Sequence, residues 1–245
     1  MTRERLDILV QQRFQVTRSK AQGLIQTGRV RDATGAVLSK PGMRLPHDAP
    51  LELLPGPRYV SRGGEKLAHA LRQFNIDVRG RIAIDVGAST GGFTDCLLQH
   101  GAARVFAVDV GYGQLAWELR QDPRVVALER CNIRALTPDK LDATPGFFTA
   151  DCSFISLKLV LPPLLSLLDA APEGVVLIKP QFEAGRDQVG KGGVVRDPKV
   201  HDAVLEDITE TARGLGFREV AITPSPLLGP AGNREFLAWL HNYSA

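Results

Sequence analysis

Apolar residues recur along this 245-residue chain at two different periods, and the change of period divides it. Leu6, Leu9, Val10 and Phe14 fall at helical spacing and predict a short amphipathic helix. Thr17 is placed to cap a second helix that runs to Thr27 and stops at Gly28. Arg29-Val30-Arg31 and Ala36-Val37-Leu38 then alternate around Asp32-Ala33-Thr34-Gly35, which predicts a hairpin. Pro41-Gly42 turns the chain again before Leu51-Glu52-Leu53-Leu54, and Pro55-Gly56-Pro57 ends the pattern. Residues 1–57 therefore read as one small α+β domain, and 58–64 as an interdomain linker.

Beyond the linker the rhythm alternates between strand and helix. A helix from Glu65 to about Phe74 carries Leu67, Leu71 and Phe74 on one face. Uniformly apolar runs then predict strands at 81–86, 105–110, 125–128, 147–150, 175–178, 220–223 and 235–240. A helix from Phe93 to His100 follows the first strand. Asp197-Pro198, a cap followed by proline at the first helical position, opens another that ends near Gly214. Residues 65–245 are thus expected to form a Rossmann-like, doubly wound seven-stranded α/β domain, with ligands beyond the carboxyl ends of the strands.

Composition narrows the class. Hydrophobic residues at 44% and charged residues at 23% support a real core and argue against wholesale disorder. The longest apolar stretch, Leu157 to Ala171, is interrupted by Lys158 and Pro162-Pro163 and is too short to span a bilayer. No apolar segment follows the charged start Met1-Thr2-Arg3-Glu4-Arg5, so no signal peptide is expected. Cys96, Cys131 and Cys152 lie far apart, which points to reduced thiols in a cytoplasm, and neither they nor the five scattered histidines show metal-ligand spacing. The net charge of +3 is uneven: residues 1–60 hold ten basic against five acidic residues, the remainder twenty against twenty-two. A basic module beside a near-neutral body suits a polyanion partner, although charge alone fits a well-solvated face equally.

The chemistry concentrates after the first strand of the larger domain. Asp85-Val86-Gly87-Ala88-Ser89-Thr90-Gly91-Gly92-Phe93 removes Cβ atoms where the chain turns from strand to helix, so backbone can approach a ligand. Such a turn alone serves NAD enzymes, nucleotide sites and plain tight turns. Two features favour S-adenosylmethionine. The glycines fall at 87, 91 and 92 rather than at G-x-G-x-x-G spacing, and Asp109, 24 residues after Asp85, ends the next strand where a carboxylate can accept both ribose hydroxyls. Val110 adjoins it, and Asn132-Ile133 after the third strand is placed to flank an adenine. Lys179 ends the apolar run Val175 to Ile178, which puts a cation at the open end of a buried strand. Asp151 ends the fourth strand and precedes Cys152-Ser153-Phe154, not the Pro-Pro-Tyr of methyltransferases acting on exocyclic nitrogens. A Cys152 thiolate attacking a pyrimidine at carbon 5 is the rival chemistry, weakened by the lack of a Pro-Cys motif.

The motifs also carry a resemblance. Residues 17–30, T-R-S-K-A-Q-G-L-I-Q-T-G-R-V, resemble the S4-type RNA-binding domain. By that likeness Arg18, Lys20, Gln22, Arg29 and Arg31 contact RNA phosphates. S-R-G-G-E-K-L, D-V-G-A-S-T-G-G-F-T, A-V-D-V-G-Y-G-Q-L, A-D-C-S-F-I-S-L, I-K-P-Q-F-E and G-G-V-V-R-D-P resemble the TlyA-type (haemolysin A) family almost end to end. That family joins an S4-like domain to an FtsJ/RrmJ-type methyltransferase domain. The resemblance implies S-adenosylmethionine-dependent 2′-O-methylation of cytidine in ribosomal RNA. It implies a Lys66, Asp151, Lys179, Glu235 tetrad. Lys179, at the end of a buried strand, is expected to be the general base, with Asp151 and Glu235 orienting the lysines and the substrate hydroxyl. Short termini resemble the branch acting on the large subunit alone. Arg58-Tyr59-Val60 departs from the R-A-W-V of better-known members. The polar, glycine-rich stretch 185–193, with Arg186, Lys191 and then Arg196, is expected to clamp RNA or to be a solvated excursion. Two other classes remain open on the residues: a non-catalytic RNA-binding assembly factor, which needs only the basic module, and a membrane-lytic protein, for which no suitable apolar segment exists.

Overall fold

Val175, Val176, Leu177 and Ile178 are buried on both sides, as a central parallel strand requires and as their continuous apolar run allows. They belong to β9 (Glu173–Ile178) of a seven-stranded sheet in the computed structural model, which describes residues 2–244. The chain divides into two units between Pro57 and Arg58.

The first unit holds β1 (Arg3–Arg5), α1 (Leu6–Phe14), α2 (Arg18–Gln26), β2 (Val30–Asp32), β3 (Arg44–Pro46) and β4 (Leu51–Leu53). Thr17 caps α2 as expected, its hydroxyl accepting from the Lys20 amide at 3.2 Å. Leu6, Val10, Ala21, Leu24, Ile25, Val30 and Leu38 form the core. The expected hairpin turn is present, with the Asp32 amide donating to the Ala36 carbonyl at 3.1 Å and the Leu38 amide to the Val30 carbonyl at 2.8 Å, but its second arm is short. Ala36-Val37-Leu38 makes only a single bridge, Arg31 to Val37. The main partner of β2 is β4, antiparallel, because Leu51 and Leu53 can pack on the helices where exposed Val37 cannot.

The second unit begins with α3 (Gly63–Gln73) and continues through β5 (Ile82–Val86), α4 (Gly92–Gln99), β6 (Arg104–Val108), α5 (Trp117–Arg120), β7 (Val125–Leu128), β8 (Phe147–Ala150), α6 (Leu157–Leu165), β9, α7 (Pro180–Glu183), α8 (Pro198–Gly214), β10 (Phe217–Pro224) and β11 (Phe236–Tyr243). The order is β10-β11-β9-β8-β5-β6-β7. Strands β5 to β9 run parallel, whereas β11 is antiparallel to both neighbours. Apolar clusters cover both faces, one from α6 and α8, the other from α3 and α4. The order reverses between β5 and β8, so a crevice opens beyond their carboxyl ends.

One expectation fails locally. Residues 58–64 are not a linker. Tyr59 is 2% exposed in the core, the Val60 amide donates to Asp95 at 2.8 Å, and α3 has already begun at Gly63. The apolar run after Ser156 is α6 despite Pro162 and Pro163; Ser156 caps it, and Leu157, Val160, Leu161 and Leu164 bury one face. No helix among the described residues is long and apolar enough to cross a membrane, and no group of side chains among them could hold a metal ion.

Candidate active site

The topology collects the chemistry at one sheet edge. Asp151 follows β8 and Lys179 follows β9, both at carboxyl ends. Because β11 runs the other way, with Phe236 opposite Ile178, its start brings Glu235 to that same edge. Lys66 arrives from the first turns of α3, which packs against β11. All four side chains line one cavity of about 640 Å³.

Within it the charges are paired. Lys66 Nζ lies 2.5 Å from Glu235 Oε2, with Lys66 8% and Glu235 2% exposed. Lys179 Nζ lies 2.5 Å from Asp151 Oδ1 and donates to the Ser153 hydroxyl at 3.0 Å. Each lysine thus has its own carboxylate. Buried charges of this kind persist only when paired, so three of them with the half-buried Asp151 on one cavity wall mark a site built for something other than stability. Glu235 Oε1 is sealed from solvent without a hydrogen-bond partner among the described residues.

A second cavity, of about 450 Å³, lies beside the first and is lined by Asp109, Val110, Asn132 and Ile133 together with Val108, Cys131 and Val160. The Asp109 carboxylate accepts from the Ser89 amide at 2.8 Å and from the Gly111 amide at 2.7 Å, one on each oxygen. Each oxygen keeps a lone pair for a ligand hydroxyl. An apolar slot beside a half-buried carboxylate fits a nucleoside: base against Val108, Ile133 and Val160, ribose hydroxyls on Asp109. Gly87, Ser89, Asp151, Ser153 and Phe154 line both cavities.

The glycine-rich turn divides its residues. Gly87, at φ +82°, sits where a Cβ would lie 2.6 Å from the Asp151 carbonyl oxygen, so only glycine lets β5 and β8 close side by side. Ala88, Thr90, Gly92 and Phe93 face the tetrad cavity. Gly91 and Asp85 face neither. Leu115 and Leu119 pack against Gly91. Asp85 is fully buried beneath the turn, accepting from Thr94 at 2.7 Å and from Thr149 at 2.8 Å, and burial pushes its carboxyl up to about 6. Both hold the turn in shape and contact no ligand space, a correction to the expectation for them. Cys152 is half-buried beside Val86, and burial pushes its thiol up to about 12, which leaves no thiolate for attack on a base.

The basic residues separate in the same way. In the first unit Asp7 is fully buried and accepts from Arg5 at 3.0 and 3.1 Å, from Arg18 at 3.2 Å and from Gln22 at 2.9 Å. Arg5 chiefly holds its carboxyl below the usual carboxylate range, against the cost of burial. Arg29 donates to the Leu54 carbonyl at 2.8 and 3.2 Å. Gln22, Arg29 and Arg18 are therefore engaged within the domain, although Arg18 stays exposed; Arg31 is half-buried on β2, and Lys20 is exposed. Arg186, Lys191 and Arg196 are exposed, and none lines either cavity; of that stretch Gly193 does. The buried Asp7 and the cavity residues Arg62 and Gln181 escaped the sequence reading; single charges and amides carry no periodic signal.

Comparisons with known proteins agree with this geometry. The profile of the FtsJ-like methyltransferase family matches residues 59–242. A Bacillus subtilis protein named as an rRNA methyltransferase, YqxC, is 50% identical over 98% of this chain and 86% of its own length. The 16S/23S rRNA (cytidine-2′-O)-methyltransferase TlyA of Mycobacterium tuberculosis is 47% identical over 97% of this chain and 90% of its own. A solved Streptococcus thermophilus structure bearing a hemolysin name superposes with a TM-score of 0.76 at 44% identity, covering 100% of this chain and 90% of that one.

Proposed function

The chain belongs to the FtsJ-like methyltransferase family, and from that premise we propose that it methylates the 2′-hydroxyl of a cytidine in ribosomal RNA, with large-subunit RNA as the substrate. The observation that carries the reading is the shared wall. A donor seated on Asp109 and a ribose seated between the two lysines meet at Asp151. S-adenosylmethionine supplies a methyl group on sulfonium sulfur, which passes to an in-line oxygen as the carbon–sulfur bond breaks and the electron pair stays on sulfur. The Asp109 cavity fits it: Asp109 would take the ribose hydroxyls, Val108, Ile133 and Val160 the adenine, with the Gly87 turn beside the sulfonium.

A ribose hydroxyl is a poor nucleophile until its proton leaves. In this reading Lys179 acts as the neutral amine and takes that proton on Nζ, becoming the ammonium that Asp151 then pairs; Asp151 and Ser153 hold it in place, and Lys66, held by Glu235, orients the hydroxyl. The first unit, S4-like in sequence, binds RNA phosphates through its exposed Arg18 and Lys20 and the half-buried Arg31. The name of the Mycobacterium relative supports cytidine 2′-O as the target atom and covers both subunits.

The test is substitution at Lys179. Lys179→Ala should lose about 10²–10⁴-fold in turnover, the usual contribution of a positioned acid or base. Lys179→Arg should fail equally, because a guanidinium stays charged and accepts no proton. Both variants should bind S-adenosylmethionine as the wild type does, measured by calorimetry. An active arginine variant would show that the position supplies positive charge and not proton abstraction.

A further inference from the structure

A ribose 2′-oxygen cannot enter a cavity without its own 3′-phosphate, because the two are bound to adjacent carbons of one ring. The proposed substrate therefore brings negative charge to the mouth of the tetrad cavity, where a guanidinium within reach would bind it by charge-assisted hydrogen bonds. Three cations line that cavity: Arg62, Lys66 and Lys179. Lys66 is committed to Glu235 and Lys179 to Asp151, each at 2.5 Å. The Arg62 side chain makes no hydrogen bond, ion pair or ring contact with any described residue. By elimination it is the cation that the cavity holds in reserve.

Its backbone is held between packed neighbours. Ser61 is wedged against α4, where a Cβ on Gly92 would fall 2.1 Å from the Ser61 oxygen. On the other side Gly64 packs on the Tyr59 ring, and the Val60 amide is tied to Asp95 at 2.8 Å. Arg62 thus lines that cavity from an anchored, exposed position one turn before Lys66, which puts its guanidinium within reach of the cavity mouth. A planar fork of donors suits a phosphodiester, which it can bind through two oxygens at once.

We propose that Arg62 is the phosphate clamp of the active site. It binds the phosphodiester next to the target ribose and so sets the depth at which the 2′-hydroxyl meets Lys179. The inference rests on the reading of the substrate as RNA, and its test separates the two. Full-length wild type, Arg62→Gln and Arg62→Lys are titrated with ribosomal subunits from cells lacking the protein, at several salt concentrations, and assayed for methyl transfer on the same subunits.

The glutamine variant should lose about 10- to 100-fold in kcat/KM, mostly in KM, the range for a lost charge-assisted contact. Its slope of log affinity against log salt should fall by about 0.7–0.9, one phosphate's worth. The lysine variant should recover the slope and part of the rate, and all three proteins should bind S-adenosylmethionine alike. A glutamine variant with wild-type kcat/KM and an unchanged slope would overturn the clamp. A wild type that methylates no ribosomal RNA would sink the substrate reading instead, while the binding slopes would still decide the role of Arg62.

Discussion

Asp85 shows how a residue in a functional motif can serve the fold. Its carboxyl is sealed under the glycine-rich turn, accepts hydrogen bonds from the hydroxyls of Thr94 and Thr149 and from the Thr94 backbone, and is pushed up to about 6 mainly by loss of water. In the unfolded chain the same group ionises near 3.8. The folded state therefore holds the proton more tightly, so this contribution is full below about pH 4 and is lost as pH rises through 6. Holding a proton over that much wider a pH range is worth on the order of 3 kcal/mol. Asp85→Asn keeps the shape and can bond both threonines, but has no charge to bury. Urea unfolding from pH 4 to 8 should show the wild type losing stability relative to the variant up to about pH 7 and no further. Parallel curves for the two proteins would contradict that account.

At the scale of the element, α3 depends on a contact that no periodicity reveals. A Cβ at Gly64 would lie 2.2 Å from Cγ of Tyr59, within a fully packed cluster. Gly64→Ala should cost about 1–3 kcal/mol by overpacking, which lowers Tm by about 2–4 °C per kcal/mol in a chain of this size. It should also disturb Lys66, which lies on the same helix. An unchanged Tm would mean that Tyr59 yields freely. Elements of this unit were legible where their burial was symmetrical. The β5, β8 and β9 strands, covered on both faces, read directly as apolar runs. The α6 helix did not, since Pro162 and Pro163 argue against a helix that packing on β8 and β9 nonetheless imposes. The three-residue strands β1 and β3, rich in arginine, carry too little pattern to be read at all.

At the scale of the molecule, the site is a product of topology. Lys66, Asp151, Lys179 and Glu235 are separated by as many as 169 positions, and only the antiparallel return of β11 sets Glu235 beside Lys179. Asp109, Asp151 and Lys179 announced themselves as charged residues at the ends of apolar strands. Lys66 and Glu235 did not, and resemblance alone singled them out before the fold explained them. Arg62 was invisible because its meaning lies in the pairing of its neighbours. All of this converges on an oxygen of ribose as the methyl acceptor. The direct measurement is to incubate the purified protein with both ribosomal subunits from cells lacking it and methyl-labelled S-adenosylmethionine. The rRNAs are then digested to nucleosides and resolved by mass spectrometry. Label in 2′-O-methylcytidine from large-subunit RNA, and none in small-subunit RNA, is the predicted result. Label in a base-methylated nucleoside, or in no nucleoside, would contradict the assignment of the tetrad to a ribose hydroxyl, and label in small-subunit RNA would contradict the single target.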